Sequence, residues 1–189
     1  MKASIFQNFV QWIEDKSLIV ITKTIQEGKY KEEVLAIRKL IAEGKQNEAD
    51  NLKKMLPAFT PSGTFNKGRK ADLLTEYSSH VILDIDKITE QQIFEVLQKV
   101  TLIPHTFAAF KSPSGNGVKI IVAVSGAAEH HKITFAQVAA YYKEILQIII
   151  DPSGKDVSRL CFMSYDPNCY RNINAVSFQV TIKIQASPL

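Results

Sequence analysis

The chain has 189 residues, 46% of them hydrophobic and 22% charged, and a formal net charge of +4. That balance suits one globular core and excludes long disordered segments, and no apolar run approaches the roughly 20 residues that span a bilayer. Two cysteines, Cys161 and Cys169, with no CxxC and no framework of pairs, exclude a disulfide scaffold and suit a reducing cytoplasm.

The opening MKASIFQNFVQWIEDKS has a short apolar stretch that Glu14 and Asp15 interrupt before a signal-peptide core forms, so the expected location is cytoplasmic. Residues 29–43 predict a helix with Val34, Ile37 and Ile41 on one face and Gly44 at its end. A second short helix is expected over 46–55. The turn-rich stretch 57–70 marks a boundary between an accessory subdomain, 1–70, and a core, 71–189, that together form one compact unit. The basic excess lies in the first part, where 13 lysines and arginines face 8 acids; the rest carries a net charge of −1. A basic flank beside acidic residues suits a polyanion, although ordinary solvated lysines give the same count.

From residue 80 the pattern becomes regular. HVILDID at 80–86 reads as a strand. Thr89 caps a helix whose apolar face holds Ile93, Val96, Leu97 and Val100. Strands follow at 106–111 and 118–125, joined by the turn SPSGNG, then a helix over 130–147 and a strand over 159–165. The order β-α-β-β-α-β is that of an RRM or ferredoxin-like α+β core. A last strand over 176–184 either extends the sheet or packs on the amino-terminal part. In this topology the end of the first strand meets the beginnings of the third and fourth.

Chemistry concentrates at that edge. Asp84 and Asp86 are two apart on a strand, so both side chains leave the same face. Like charges so close repel, and apolar neighbours raise the cost. A divalent cation, Mg2+ or Mn2+, resolves the conflict; a solvated strand end neutralised by Lys87 is the plainer alternative. The turn at 112–117 places Ser112, Ser114, Gly115 and Gly117 where backbone N–H groups and hydroxyls suit a phosphate, with Lys119 as a point charge. From this segment alone an ordinary hairpin loop with Lys119 paired to Asp86 is the simpler reading. In DPSGKDVSR, Asp151 or Asp156 completes a metal site and Arg159 grips phosphate, or Asp156 and Arg159 simply pair. His130 and His131 read as exposed or capping residues. Phe59, Phe65, Phe107 and Phe110 suit base stacking or, more simply, the core.

Taken together, LPAFTPSGTF, HVILDID, FKSPSGNGVKIIV and DPSGKDVSRLCFMSYDPN resemble the VirE amino-terminal domain family of mobile-element proteins, over about residues 6–172. More distantly the set is similar to the archaeo-eukaryotic primase superfamily, whose RRM-like core carries a hydrophobic-Asp-x-Asp strand, a Ser-Gly-x-Gly-x-His turn and a later Asp. The resemblance implies metal ligation and catalysis by Asp84, Asp86 and Asp151, with Asp156 as substitute. It implies nucleotide-phosphate binding by Ser112, Ser114, Gly115, Gly117 and Arg159. Lys119 stands where the histidine is expected. Two functions follow: a primase-type nucleotidyltransferase, or a catalytically degenerate module that binds single-stranded DNA or nucleotides for a helicase or carboxy-terminal replication module. Neither involves a membrane.

Overall fold

Hydrophobic alternation builds the centre of the molecule. A computed structural model describes residues 1–182. In chain order the elements are strands β1 (Lys2–Gln7) and β2 (Gln11–Ser17), helices α1 (Leu18–Glu27), α2 (Lys31–Ala42) and α3 (Gln46–Met55), and strands β3 (Ala58–Phe59), β4 (Gly63–Phe65), β5 (Leu74–Tyr77) and β6 (His80–Asp86). There follow helix α4 (Glu90–Thr101), strands β7 (Thr106–Lys111) and β8 (Gly117–Ala123), helix α5 (His131–Leu146), and strands β9 (Cys161–Phe162) and β10 (Tyr170–Arg171). The fold is α+β, with antiparallel ladders in orders β2-β1-β3-β9, β10-β7-β8-β6 and β4-β5.

In the central sheet β8 lies between β6 and β7, antiparallel to both. Side chains alternate between its faces. Val81, Leu83, Ile85, Val118, Ile120 and Val122 point to α4 and α5, joining Ile93, Val96, Val138 and Tyr142. Ile82, Ala108, Phe110 and Ile121 point the other way, toward Ala3, Ile5, Leu18, Ile21 and Phe59 of the amino-terminal part. Asp84 shares the face of Ile82, so it looks into the seam between the two parts. Helix α4 starts at a capping box in which the Thr89 side chain accepts from the Gln92 amide and the Gln92 side chain accepts from the Thr89 amide.

Three strands of the expected ferredoxin-like sheet stand in the expected order, but the fourth does not. Of residues 159–165 only Cys161–Phe162 is a strand, and it pairs with β3. The reason is its partners on both sides. Cys161 and Met163 join the apolar cluster of β1, β3 and α1, while Phe162 and Tyr165 pack on α2 and α3. The position beside β6 goes instead to a single antiparallel bridge between Asp84 and Asp151, in which the Asp151 amide donates to the Asp84 carbonyl at 2.9 Å. The outer edge is closed by β10, which pairs with β7. Of the last expected strand, Phe178 makes one parallel bridge to Val124; residues 183 and 184 lie outside the described residues. Among the described residues no helix is long and apolar enough to cross a membrane.

Candidate functional site

A cleft of about 420 Å³ opens at the seam, and its wall holds Asp84, Asp86, Lys119 and Arg159. The register of the sheet explains the first three. Antiparallel pairing sets Lys119 directly opposite Asp84, and Gly117 opposite Asp86. A side chain on Gly117 would collide with the Ile85 carbonyl, so glycine is needed for this close approach.

Lys119 Nζ lies 3.1 Å from Asp84 Oδ1 and 3.2 Å from Asp86 Oδ1. The contact to Asp84 Oδ1 is a charge contact without the alignment of a hydrogen bond, whereas Lys119 donates to Asp86 Oδ1. Arg159 Nη2 donates to Asp84 Oδ2 at 3.0 Å. Asp84 is only 4% exposed, and an unpaired carboxylate there would be costly. Two cations and two carboxylates thus form a quartet of zero net charge. Burial alone would lower the Lys119 pKa; attraction to Asp84 and then Asp86 outweighs it and holds the ammonium above its ordinary value.

Asp151 reaches this edge through its backbone. Its carboxylate accepts from the Ser153 amide at 2.7 Å. The Ser153 side chain, and to a smaller degree that amide, holds its pKa below the ordinary value; burial opposes, and Arg159 and Lys119 add to the lowering. Asp156 Oδ1 accepts from both the amide and the hydroxyl of Ser158, and in place of the alternative Asp156–Arg159 pair Arg159 pairs with Asp84.

The turn at 112–117 is turned away from the cleft, and only Pro113 lines it. Ser112 is buried; its amide donates to the Gly117 carbonyl and its own carbonyl accepts from the Gly115 amide and from Arg38 Nη2. Gly115, at φ 78°, lies over the Arg38 side chain. The Ser114 hydroxyl is 3.3 Å from that of Ser112. The Ser112 and Gly115 amides are thus spent on closing the turn, and the Ser112 carbonyl on holding it to Arg38 of α2.

Sequence reasoning missed part of the wall. Lys53 of α3, Arg69, Phe9 and Phe162 also line the cleft. Among the described residues neither Lys53 nor Arg69 has a carboxylate within ion-pair distance. Arg69 donates through Nε to the Phe9 carbonyl and through Nη1 to the Ser158 carbonyl, both at 3.3 Å. Lys53 Nζ sits 5.5 Å from the Phe162 ring centre. Phe9 stands on the β1–β2 hairpin loop at φ 67°, a conformation a phenylalanine rarely adopts, and its ring meets Phe162 edge-on at 5.4 Å. The signal available beforehand was the basic composition of the first 70 residues. The phenylalanines weighed for stacking, Phe59, Phe65, Phe107 and Phe110, are all buried. Cys161 also lines the cleft, but burial above all, with Asp84 adding, pushes its thiol pKa up, so it stays protonated.

His131 is buried rather than exposed. Its Nε2 lies 3.0 Å from the Gly154 carbonyl and its Nδ1 3.0 Å from the Tyr77 hydroxyl. A neutral ring donating to Gly154 and accepting from Tyr77 satisfies both. It pins the 152–155 turn to α5 and takes no part in the cleft.

The fit of a divalent ion follows from this geometry. Among the described residues no three histidine, cysteine or acidic side chains gather as a metal-holding group. The point between Asp84 and Asp86 is held by an ammonium, and the Asp151 carboxylate is turned to its own loop. The donor set does not fit a resident Mg2+ or Mn2+.

A family model described as the BT4734-like, N-terminal domain matches residues 51–170, well over half of the chain. This chain belongs to that family. The match takes in every residue of the BT4734-like cleft wall except Phe9. No curated protein and no solved structure matches the chain. The matching model is the BT4734-like domain rather than the VirE amino-terminal domain, and no comparison links this BT4734-like domain to primases.

Proposed function

We propose that this domain is a cytoplasmic binding module for single-stranded DNA or nucleotides, and that the cleft beside Asp84 receives the ligand. One observation carries the reading: Lys53, Arg69, Lys119 and Arg159 line the same cleft as the aromatic pair Phe9 and Phe162. Cations that track phosphates beside rings that take a base face are the shared means of sequence-tolerant single-strand binding. The Asp84, Asp86, Lys119 and Arg159 quartet balances itself, so Lys53 and Arg69, opposed by Asp156 alone among the other lining residues, supply the attraction for an incoming anion. The resemblance to mobile-element and primase-type domains supports the same class of ligand. It also suggests a helicase or other replication module as the partner acting on the same strand.

The test is fluorescence anisotropy of a labelled single-stranded oligonucleotide at low salt with EDTA present. Wild type binds, and a Lys53→Ala, Arg69→Ala double variant loses most of that binding. No binding by wild type under these conditions defeats the proposal. Template-dependent nucleotide incorporation by wild type, lost in Asp84→Ala, would establish nucleotidyl transfer instead.

A further inference from the structure

We infer that Lys119 is a tethered counter-ion that replaces a divalent cation between Asp84 and Asp86, and that its removal opens a metal site between these two carboxylates. The inference concerns the carboxylate pair itself and is independent of the ligand proposed above.

Two carboxylates on one face of a strand, one of them 4% exposed, need positive charge between them. A protein can meet that need with a proton, with a bound ion, or with a side chain. Here the sheet register meets it. Lys119 stands opposite Asp84 on β8, and its flexible stem brings Nζ to 3.1 Å from one carboxylate and 3.2 Å from the other. A Mg2+ ion at its usual separation of about 2.1 Å from each carboxylate oxygen would crowd that ammonium, cation against cation. The two occupants are therefore mutually exclusive. They also differ in what they offer. A bound ion keeps open positions for water or a phosphate oxygen and acts as a Lewis acid. An ammonium has only its three N–H bonds, and two of its neighbours already hold it. Arg159 keeps its own contact with Asp84 Oδ2, so Asp84 is not stripped of every partner when Lys119 is shortened.

The experiment is Mn2+ binding followed by electron paramagnetic resonance on the full chain, with thermal unfolding measured alongside. Wild type shows no saturable Mn2+ site. Lys119→Ala and Lys119→Ser each acquire one site, which disappears when Asp86→Asn is added. In these variants Mn2+ at about a hundred times its Kd raises the folded-to-unfolded ratio about 100-fold, while wild type is unmoved. A saturable Mn2+ site in wild type that Asp86→Asn removes overturns the inference. So does a folded Lys119→Ala or Lys119→Ser that acquires no site. Should both variants fail to fold even with Mn2+, the wild-type titration decides alone: a site abolished by Asp86→Asn refutes the inference, and its absence upholds it.

Discussion

His80 begins the strand that ends at Asp86, and folding holds its ring neutral well below its ordinary titration range. Its Nδ1 lies 2.8 Å from the Ser78 carbonyl and its ring packs edge-on against Phe107. Burial, opposed by that bond to Ser78, pushes its pKa down to about 4. The unfolded chain takes up a proton near pH 6.5, while the folded chain resists until about pH 4. Between those values the unfolded state binds more protons, so stability falls as pH falls. His131, also lowered chiefly by burial, acts with the same sign. Urea unfolding at pH 7.5 and pH 5 should differ by about 2 kcal/mol from His80 alone. A His80→Phe variant, less stable at pH 7.5, should show a shallower dependence. An unchanged slope would place the titration elsewhere. Residue type and spacing made the Asp84 and Asp86 pair legible, because period two on a strand leaves no freedom about the shared face. They did not show which cation meets the pair. Lys119 opposite Asp84 is a matter of register, and Arg159 reaches Asp84 from 75 positions away.

Elements were read best where the pattern was local. The helix at Gln46–Met55 and the strands at His80–Asp86 and Thr106–Lys111 match the expectation, and an apolar run between polar ends fixes each of the two strands from within. The strand expected at 159–165 failed for a reason alternation cannot reveal: apolar residues suit any sheet, and Phe59 and Ile5 won Cys161 over Asp84's edge. The amino-terminal hairpin and α1 left little trace, because β2 is largely exposed and its residues, QWIEDKS, carry no apolar alternation. The turn at Pro152–Lys155 fills the gap that the missing strand leaves, and Gly154 makes it fit. A Cβ there would fall on the Ile82 carbonyl and the Phe135 ring. Gly154→Ala is expected to cost about 1–3 kcal/mol as forced overpacking, read as a lower urea midpoint with an unchanged slope. A midpoint equal to wild type would show that the turn has room to move.

At the scale of the molecule, the amino-terminal 70 residues and the rest share one apolar cluster. Leu18, Ile21 and Phe59 from the first part bury Ile82, Phe107 and Ile121 from the second. Residues 71–182 expressed alone would expose that face of the central sheet, and the expected outcome is an aggregating or molten species without a cooperative thermal transition. A sharp transition for the fragment would show that the sheet needs only α4 and α5. The same union makes the cleft: Phe9, Lys53 and Arg69 come from the first part, Asp84, Lys119 and Arg159 from the second. Composition showed that the first part is basic, but not that two of its cations face the acidic edge, since that depends on how the two parts dock. The salt dependence of single-strand binding tests that union most directly. With Lys53 and Arg69 each neutralising one phosphate, the logarithm of the binding constant should fall against the logarithm of salt with a slope of about −1.4, and each alanine substitution should reduce it by about 0.7. A slope that neither substitution alters would contradict a phosphate-binding cleft at this seam.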